Sequence, residues 1–133
     1  MDSEMLELDT SGRQVVDVTD EVERFCARRG SGLCSVFVPH TTAGVGIMET
    51  GSGSEDDLLA AIERLLPRDV RYRHHHGSPG HGADHVLPVF VSPSVVVPVL
   101  DGRPALGTWQ RVVVVDTNAD NPRRQLRLSF VVA

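Results

Sequence analysis

The spacing of apolar residues predicts strands along most of the chain. Two-residue alternation indicates a half-buried strand, and a short uninterrupted apolar run indicates a strand buried on both faces. Pro93 and Pro98 interrupt one such run and restrict it to short or edge strands. The Asp101-Gly102 pair that follows this run predicts a hairpin turn. The predicted strand segments are residues 4–9, 15–18, 33–38, 43–48, 89–100, 109–116 and 125–132.

Helical spacing of apolar residues appears in two longer segments. Thr19 or Asp20 caps the first predicted helix, which ends before Gly30. Ser54 caps the second, three acidic residues occupy its first turn, and Pro67 ends it. The predicted buried stripe of the second helix consists of Leu58, Leu59, Ile62, Leu65 and Leu66.

Two further local features complete the predicted architecture. Asp84 caps a short helical turn that runs through Leu87. Gly44 and Gly46 leave one face of a strand almost bare, which indicates either close approach of another backbone or ligand, or a β-bulge. The pattern therefore predicts one α+β domain over residues 1–133, with mainly antiparallel or mixed sheets and two to three short helices.

Composition narrows the classes of function. The chain of 133 residues is 41% hydrophobic and 23% charged, with a net charge of −5, so we expect neither a nucleic-acid partner nor a membrane partner. All 13 basic residues are arginine, which excludes a Schiff-base lysine and a Walker-type phosphate loop. Cys26 and Cys34 lie in apolar surroundings and indicate reduced thiols, and the acidic N-terminal segment lacks an apolar signal, so we expect a cytoplasmic protein.

Histidine is concentrated in one segment. Five of the six histidines lie within Tyr72–His85, and the sixth, His40, follows a predicted strand. Imidazole is the commonest side-chain ligand of transition metals. A segment this rich in histidine, glycine and proline is costly to order unless something holds it. We therefore expect a bound metal ion to order the segment and bring it back towards His40, with a solvated loop as the alternative.

Five short motifs occur in a set order along the chain: His40–Ala43, Tyr72–His74, Ala83–His85, Leu106–Gln110 and Pro122–Arg124. Together they resemble the YjbQ-like family, which is now often described as secondary thiamine-phosphate synthases. The resemblance implies a compact α+β domain that forms a homotrimer, with a pocket near a subunit boundary and a histidine-bound divalent metal. The metal it implies is zinc, with magnesium as the alternative.

The resemblance also assigns residues to the site. The three matching histidines, His40, His74 and His85, are the implied metal ligands, which would leave a fourth position open for water or substrate. His75, His76 and His81 have no match and are expected to face solvent; the alternative is that one of these three replaces His74 as a ligand, and a small slip would allow this for His75 or His76.

The remaining candidate residues follow from the chemistry of the implied reaction, in which a thiazole nitrogen displaces pyrophosphate from a pyrimidine methylene group. Glu49 and Asp116 are candidates for a catalytic base or for orienting a histidine. Trp109 is expected to pack in the core. The candidate phosphate-binding residues are Thr41, Thr42, Arg73, Thr108 and Arg123, with Arg71, Arg111 and Arg124 as further arginines.

Two other functions remain open at the level of the sequence, partly because the chain lacks an Asp-rich motif for magnesium pyrophosphate. One is a zinc-dependent hydrolase of a phosphorylated or amide metabolite, with Glu49 as base. The other is a non-catalytic trimeric module that binds a metal or metabolite, in which the histidines are structural. The expected small-molecule partner is a phosphorylated metabolite.

Overall fold

The computed structural model describes residues 1–133, which form three helices and eight strands. The helices are α1 (Thr19–Cys26), α2 (Ser54–Leu65) and α3 (His81–Phe90). The strands are β1 (Asp2–Asp9), β2 (Val15–Asp17), β3 (Gly32–Phe37), β4 (Gly44–Met48), β5 (Ser94–Leu100), β6 (Arg103–Pro104), β7 (Arg111–Val115) and β8 (Arg123–Val132).

The strands form two sheets in which every pairing is antiparallel. The five-stranded sheet has the order β1-β8-β3-β5-β6, and the three-stranded sheet has the order β2-β7-β4. In the larger sheet Val36 lies opposite both Val95 and Leu128, so the apolar sides of neighbouring strands share one face. The chain is a single α+β domain with antiparallel sheets and three helices, as the sequence pattern predicted.

The three-stranded sheet is the middle layer of the molecule. Val112 and Val114 of β7 belong to a cluster of 17 buried residues that also includes the inner faces of α1 and the five-stranded sheet. Val113 and Val115 point the other way, into a smaller cluster formed with the end of α2 and with α3. The prediction that the four consecutive valines are buried on both faces is therefore confirmed.

Helix α2 packs less deeply than its sequence predicted. None of its residues is buried, and Leu58 and Ile62 are only partly buried where they pack against the smaller cluster. Leu65 is 54% exposed, whereas Leu66, just beyond the helix, is 7% exposed. The predicted buried stripe is thus wrong in extent, because α2 covers a layer of only a few side chains and has no second layer above it.

Helix α3 is longer than the predicted turn at Asp84–Leu87. It has 10 residues and begins after Gly80, whose φ of 85° lies in the left-handed region that favours glycine. Pro88 lies inside the helix and removes only the backbone bond to the carbonyl of Asp84. Beyond the proline, Val91 N donates to Leu87 O at 2.9 Å, so the helical hydrogen bonding continues past Pro88.

Gly44 is the point where the end of α3 meets β4. A Cβ at this position would collide with the carbonyl oxygen of Val91, and Val45 N donates to Ser92 O at 2.8 Å. The close backbone approach predicted for Gly44 is confirmed, while the space beside Gly46 is open. No helix of the protein combines the length and apolar character that crossing a membrane requires.

Candidate functional site

A buried carboxylate fixes α3 to the rest of the domain. Asp84 is 1% exposed and accepts hydrogen bonds from both terminal nitrogens of Arg68. It also accepts from Thr117 Oγ1 at 2.7 Å and from Asn118 Nδ2 at 2.9 Å. The hydrogen bond to Asp84 raises the pKa of Arg68 above its ordinary value. Because all these partners lie outside α3, the carboxylate holds the helix against the segment after α2 and the loop after β7.

The absence of a side chain at Gly82 lets a second chain segment cross the start of α3. A Cβ at Gly82 would collide with the carbonyl oxygen of His74 and with Cβ of Tyr72. Tyr72 is held in place by a 2.8 Å hydrogen bond from its hydroxyl to the carbonyl oxygen of Pro67. The crossing therefore places His74 directly over the first turn of α3.

Three imidazoles converge at this crossing. His81 and His85 are four residues apart on α3 and so lie on one face of the helix. The ring of His74 has its centroid 4.0 Å from that of His85 and 5.2 Å from that of His81. One ring nitrogen from each of the three lies within 4.8 Å of the other two, and the Nε2 atoms of His81 and His85 are 2.9 Å apart.

Hydrogen bonding determines which nitrogen of His81 faces the cluster. His81 Nδ1 lies 2.8 Å from Asp120 Oδ2 and 3.2 Å from Asn118 Nδ2. The hydrogen bond from the backbone nitrogen of Ser78 holds the pKa of the Asp120 carboxyl below its ordinary value, so it is ionised and only accepts. An N–H on His81 Nδ1 donates to this carboxylate, so Nε2 is the nitrogen of His81 that faces the cluster.

The surroundings favour the neutral form of His74 and His85. Burial is the largest cause that lowers the pKa of His74 and of His85, and the neighbouring histidines lower both further. Asp84 acts in the opposite direction on His85, but with less effect. Metal binding requires neutral imidazole, so the unprotonated form that a metal needs already predominates at neutral pH.

The donor set fits a divalent transition metal. Three imidazoles with one open position are a common zinc arrangement. In a tetrahedral site the donor nitrogens would lie about 3.3 Å apart, given a zinc–nitrogen distance of about 2.05 Å. The 2.9 Å between His81 Nε2 and His85 Nε2 therefore needs only a small outward movement of two side chains. The carboxylate of Asp120 behind His81 matches the usual support of a metal-binding histidine.

His40, the third ligand expected from the sequence, lies outside this group. Its Nε2 accepts a 2.9 Å hydrogen bond from the backbone nitrogen of Gln125, on β8. Burial and the nearby Arg124 lower its pKa, with a smaller opposing effect of Asp116. It lines a separate cavity of about 410 Å³ together with Glu7, Asp9, Arg123 and three neighbouring residues. Within one chain the structure brings together His74 and His85 with His81, not with His40.

The three histidines without a family match differ in position. His81 has only 11% of its side chain exposed, so the expectation that it faces solvent is wrong. His75 and His76 are exposed, as expected. The Nδ1 atom of His75 lies 2.7 Å from the carbonyl oxygen of Arg73, whereas the ring of His76 stands 4.3 Å from that of His74.

The two candidate acidic residues have different surroundings. Asp116 is buried and accepts hydrogen bonds from Thr10 Oγ1 at 2.6 Å and from Arg124 Nε at 2.7 Å. Its second oxygen accepts from Arg124 Nη2 at 2.9 Å and from the backbone nitrogen of Asn118 at 3.0 Å. With both oxygens occupied, Asp116 stabilises the core beneath the loop after β7. Glu49 is exposed just beyond β4.

The candidate phosphate-binding residues are distributed over the surface. Thr41, Arg73 and Thr108 are exposed, and Arg123 lines the cavity of His40. Thr42 is buried, and its hydroxyl accepts from Arg124 Nη2 at 2.8 Å, so neither side chain of this pair is free.

Arg111 and Trp109 both have surroundings that differ from those predicted. Arg111 pairs with Asp17 at 2.7 Å and lies 3.5 Å from Asp20, which leaves it little capacity for a ligand. Trp109 is 71% exposed, so the prediction that it packs in the core is wrong. Its position follows from the loop between β6 and β7, which Gln110 closes by accepting from Gly107 N at 2.7 Å.

An open depression of about 340 Å³ lies beside the histidine cluster. His74 and His81 form part of its wall, together with Arg71, Arg68 and residues of the segment that precedes α3. Arg68 is committed to Asp84, but Arg71 is exposed and free to contact an anion. A small phosphorylated molecule in this depression would contact imidazoles and a guanidinium together.

Sequence reasoning missed the roles of His81, Asn118 and Asp120. The spacing of His81 and His85 is the signal that was available, because residues four apart share one face once the segment is helical. Asn118 and Asp120 gave no comparable signal, because their bonds to Asp84 and His81 join residues 34 and 39 positions apart in the chain.

Two antiparallel sheets, three helices and a histidine cluster at the start of α3 define a class of small α+β proteins with a candidate metal centre. The comparisons identify the family. A model of the family described as "UPF0047 protein YjbQ-like" matches residues 4–133, so the chain belongs to that family.

The chain is similar to relatives across bacteria and archaea. It is 63% identical over 131 residues to a UPF0047 protein of Mycobacterium tuberculosis, covering 98% of each chain. It is 38% identical over 120 residues to a UPF0047 protein of Archaeoglobus fulgidus, covering 90% of this chain and 94% of that one.

Solved structures share the whole fold. A hypothetical protein from Aeropyrum pernix K1 superposes with a TM-score of 0.90 at 30% identity, covering 100% of both chains. A YjbQ-like protein of unknown function from Sulfolobus solfataricus P2 superposes with a TM-score of 0.91 at 25% identity, covering 99% of this chain and 97% of that one. These comparisons define a family of unknown function.

Proposed function

We propose that the protein is a metal-dependent enzyme acting on a small phosphorylated metabolite, with a reaction like that of secondary thiamine-phosphate synthases. The observation that carries the proposal is the convergence of His74, His81 and His85 beside an open depression. In the proposed reaction a thiazole nitrogen attacks a pyrimidine methylene carbon, and pyrophosphate leaves with the electrons of the broken carbon–oxygen bond.

The ligands we propose are His74, His81 and His85, so that His81 replaces His40 in the set expected from the sequence. A donor set made only of imidazoles favours zinc over magnesium, which prefers oxygen ligands. When bound, such a cation would supply Lewis-acid stabilisation of the negative charge on phosphate oxygens.

Arginines next to the cluster support an anionic substrate. Arg71 lines the depression and Arg73 immediately precedes His74. Arg123 lies two residues beyond Asn121, on the far side of the loop that contacts His81 through Asp120. We propose that Arg71 and Arg73 bind the departing pyrophosphate, and that Arg123 and His40 form a second anion site near the same loop.

Exposed apolar residues support self-association, and we propose the homotrimer that the family resemblance implies. Alternate residues of β3, β5 and β8 turn away from the core on the five-stranded sheet. Leu33 is 48% exposed, Val96 57% and Val131 51%, and together they form an uncovered apolar area, here called the outer sheet face. Such a face commonly marks a subunit contact.

Metal content is the first test. Untagged protein is expected to contain stoichiometric zinc or a similar divalent ion by elemental analysis, and His81→Ala and His85→Ala are expected to lose most of it. His75→Ala is the matched control, because that ring turns towards Arg73 and is expected to change nothing. Retention of full metal by both His81→Ala and His85→Ala would contradict the proposed centre.

Turnover is the second test. Purified protein is incubated with the pyrimidine methyl pyrophosphate and the thiazole phosphate, and thiamine phosphate and released pyrophosphate are measured. We expect both products in parent protein and at least about a 100-fold loss in His85→Ala, as when a catalytic metal is removed. Absence of product at every metal loading would reject the synthase reaction. Metal-dependent release of phosphate from simple esters would instead favour a hydrolase, and bound metal without any turnover would favour a binding module.

A further inference from the structure

The ring of His76 is directed towards the other histidines. Its centroid lies 4.3 Å from that of His74, 4.6 Å from that of His81 and 6.4 Å from that of His85. No family motif includes His76, and the three-histidine group does not need it. The donor atoms of His74, His81 and His85 lie within 4.8 Å of one another without His76, so this fourth imidazole would reach the same point after a rotation of its side chain.

Backbone contacts hold the chain next to His76 close to the histidine cluster. Gly77 follows it with a φ of 80°, a conformation that L side chains rarely adopt. A Cβ on Gly77 would approach Asp120 Oδ2 to 2.7 Å and His81 Nδ1 to 3.0 Å, so the chain passes close to the carboxylate that orients His81. Ser78 N then donates to Asp120 Oδ2 at 3.1 Å. These contacts hold the residues after His76 against the cluster.

The adjacent His75 provides an internal contrast. Its Nδ1 lies 2.7 Å from the carbonyl oxygen of Arg73, in its own chain segment. Both histidines are exposed and are neighbours in the sequence, but only His76 makes ring contacts with His74, His81 and His85. The two side chains have the same chemistry but point in different directions, so His75 is a matched control for His76.

We propose that His76 is an exchangeable fourth ligand of the metal centre, occupying the position that a substrate oxygen takes when substrate binds. This inference rests on the metal centre under "Proposed function". Three imidazoles leave one tetrahedral position open, and His76 is the side chain that can fill it. In the exchange one metal–nitrogen bond breaks, one metal–oxygen bond forms, and no electron is transferred. Because His76 is exposed on a short segment, it can swing away without disturbing α3.

Cobalt(II) substitution tests the inference by absorption spectroscopy. His76→Cys is expected to show a near-ultraviolet sulfur-to-cobalt charge-transfer band, because a thiolate at this position would bind the ion. His75→Cys is expected to lack the band. Equal spectra for the two cysteine variants would overturn the proposal.

Metal affinity and anion binding give an independent readout. His76→Ala is expected to bind zinc at least about tenfold more weakly than parent protein or His75→Ala. The cobalt form of His76→Ala is also expected to bind thiocyanate more tightly, since the probe no longer competes with an imidazole. Unchanged zinc and thiocyanate affinities in His76→Ala would overturn the proposal that His76 is a ligand, without contradicting the centre formed by His74, His81 and His85. If His81→Ala and His85→Ala also kept their metal, the centre itself would be rejected.

Discussion

Protonation of single imidazoles controls whether the candidate centre can bind a metal. Burial lowers the pKa of His40, His74 and His85 in the folded protein below the value of about 6.5 found in unfolded chains. The unfolded state therefore takes up more protons below that pH. By linkage, the folded state has its full stability above about pH 6.5 and loses stability as the pH falls below it.

We predict that metal-free protein becomes less stable between pH 7.5 and pH 5.5, as measured by urea unfolding at fixed protein concentration. The double variant His74→Gln/His85→Gln should lose less stability over the same range, because two of the three perturbed groups are gone. Aspartates with lowered pKa, such as Asp17 and Asp120, titrate below this range. An equal loss of stability in the double variant would show that His74 and His85 do not cause the pH dependence.

The buried pair of Asp116 and Arg124 is the main charged contact of the core. Arg124 is 2% exposed and has Asp116 as its acidic partner, so removing the carboxylate charge leaves a buried cation. We predict that Asp116→Asn lowers the free energy of unfolding by about 3–5 kcal/mol. Asp17→Asn, which alters the exposed pair with Arg111, should cost about 1 kcal/mol or less. Similar values for both variants in urea unfolding would contradict a structural role for Asp116.

The residue types alone predicted part of the candidate site. Histidine density correctly drew attention to residues 72–85, and His74 and His85 do come together. The sequence could not show that Nε2 of His40 is already occupied by Gln125 N, because that contact joins residues 85 positions apart. The sequence also could not show whether Asp116 is free to react or is paired with Arg124, because a valine-rich strand precedes Asp116 in either case.

At the scale of elements, the crossing of the Tyr72–His74 segment over α3 depends on Gly82. Alanine is about 1 kcal/mol more favourable than glycine inside a helix, so without the crossing Gly82→Ala would be stabilising. We predict the opposite: a lower melting temperature and at least about tenfold weaker zinc binding, because the new methyl group displaces His74. Gly46→Ala, where the space is open, is the control. A stabilised Gly82→Ala with full zinc affinity would contradict the crossing.

Strands were predicted better than helices, for a physical reason. Two-residue alternation and the four consecutive valines report directly on burial in a layered sheet structure. Helix α2 shows the same apolar spacing as a core helix, but the amount of protein above it decides how much is buried, and spacing carries no information about that. Helix α3 was underestimated because Pro88 normally indicates an end, whereas here only one backbone bond is lost.

At the scale of the whole molecule, the outer sheet face should determine the oligomeric state. Val96 lies opposite Ser35 on this face and is 57% exposed in the single chain. If the proposed trimer forms through this face, Val96→Glu should convert it to monomers in light scattering coupled to size exclusion, because a buried carboxylate at the contact would have no partner. Val89→Glu introduces the same charge at the end of α3, where Val89 is 79% exposed, and should leave the trimer intact. A trimer in both variants would place the contact elsewhere.

The nearness of His74, His81 and His85 in the chain has a consequence for how the proposed ion would be acquired. Since all three proposed donors lie within residues 74–85, a newly made or denatured chain would already chelate such a cation loosely before any sheet exists. The ion would then shorten the search for the native turn and accelerate refolding, while adding less to equilibrium stability than its affinity for the native protein alone suggests.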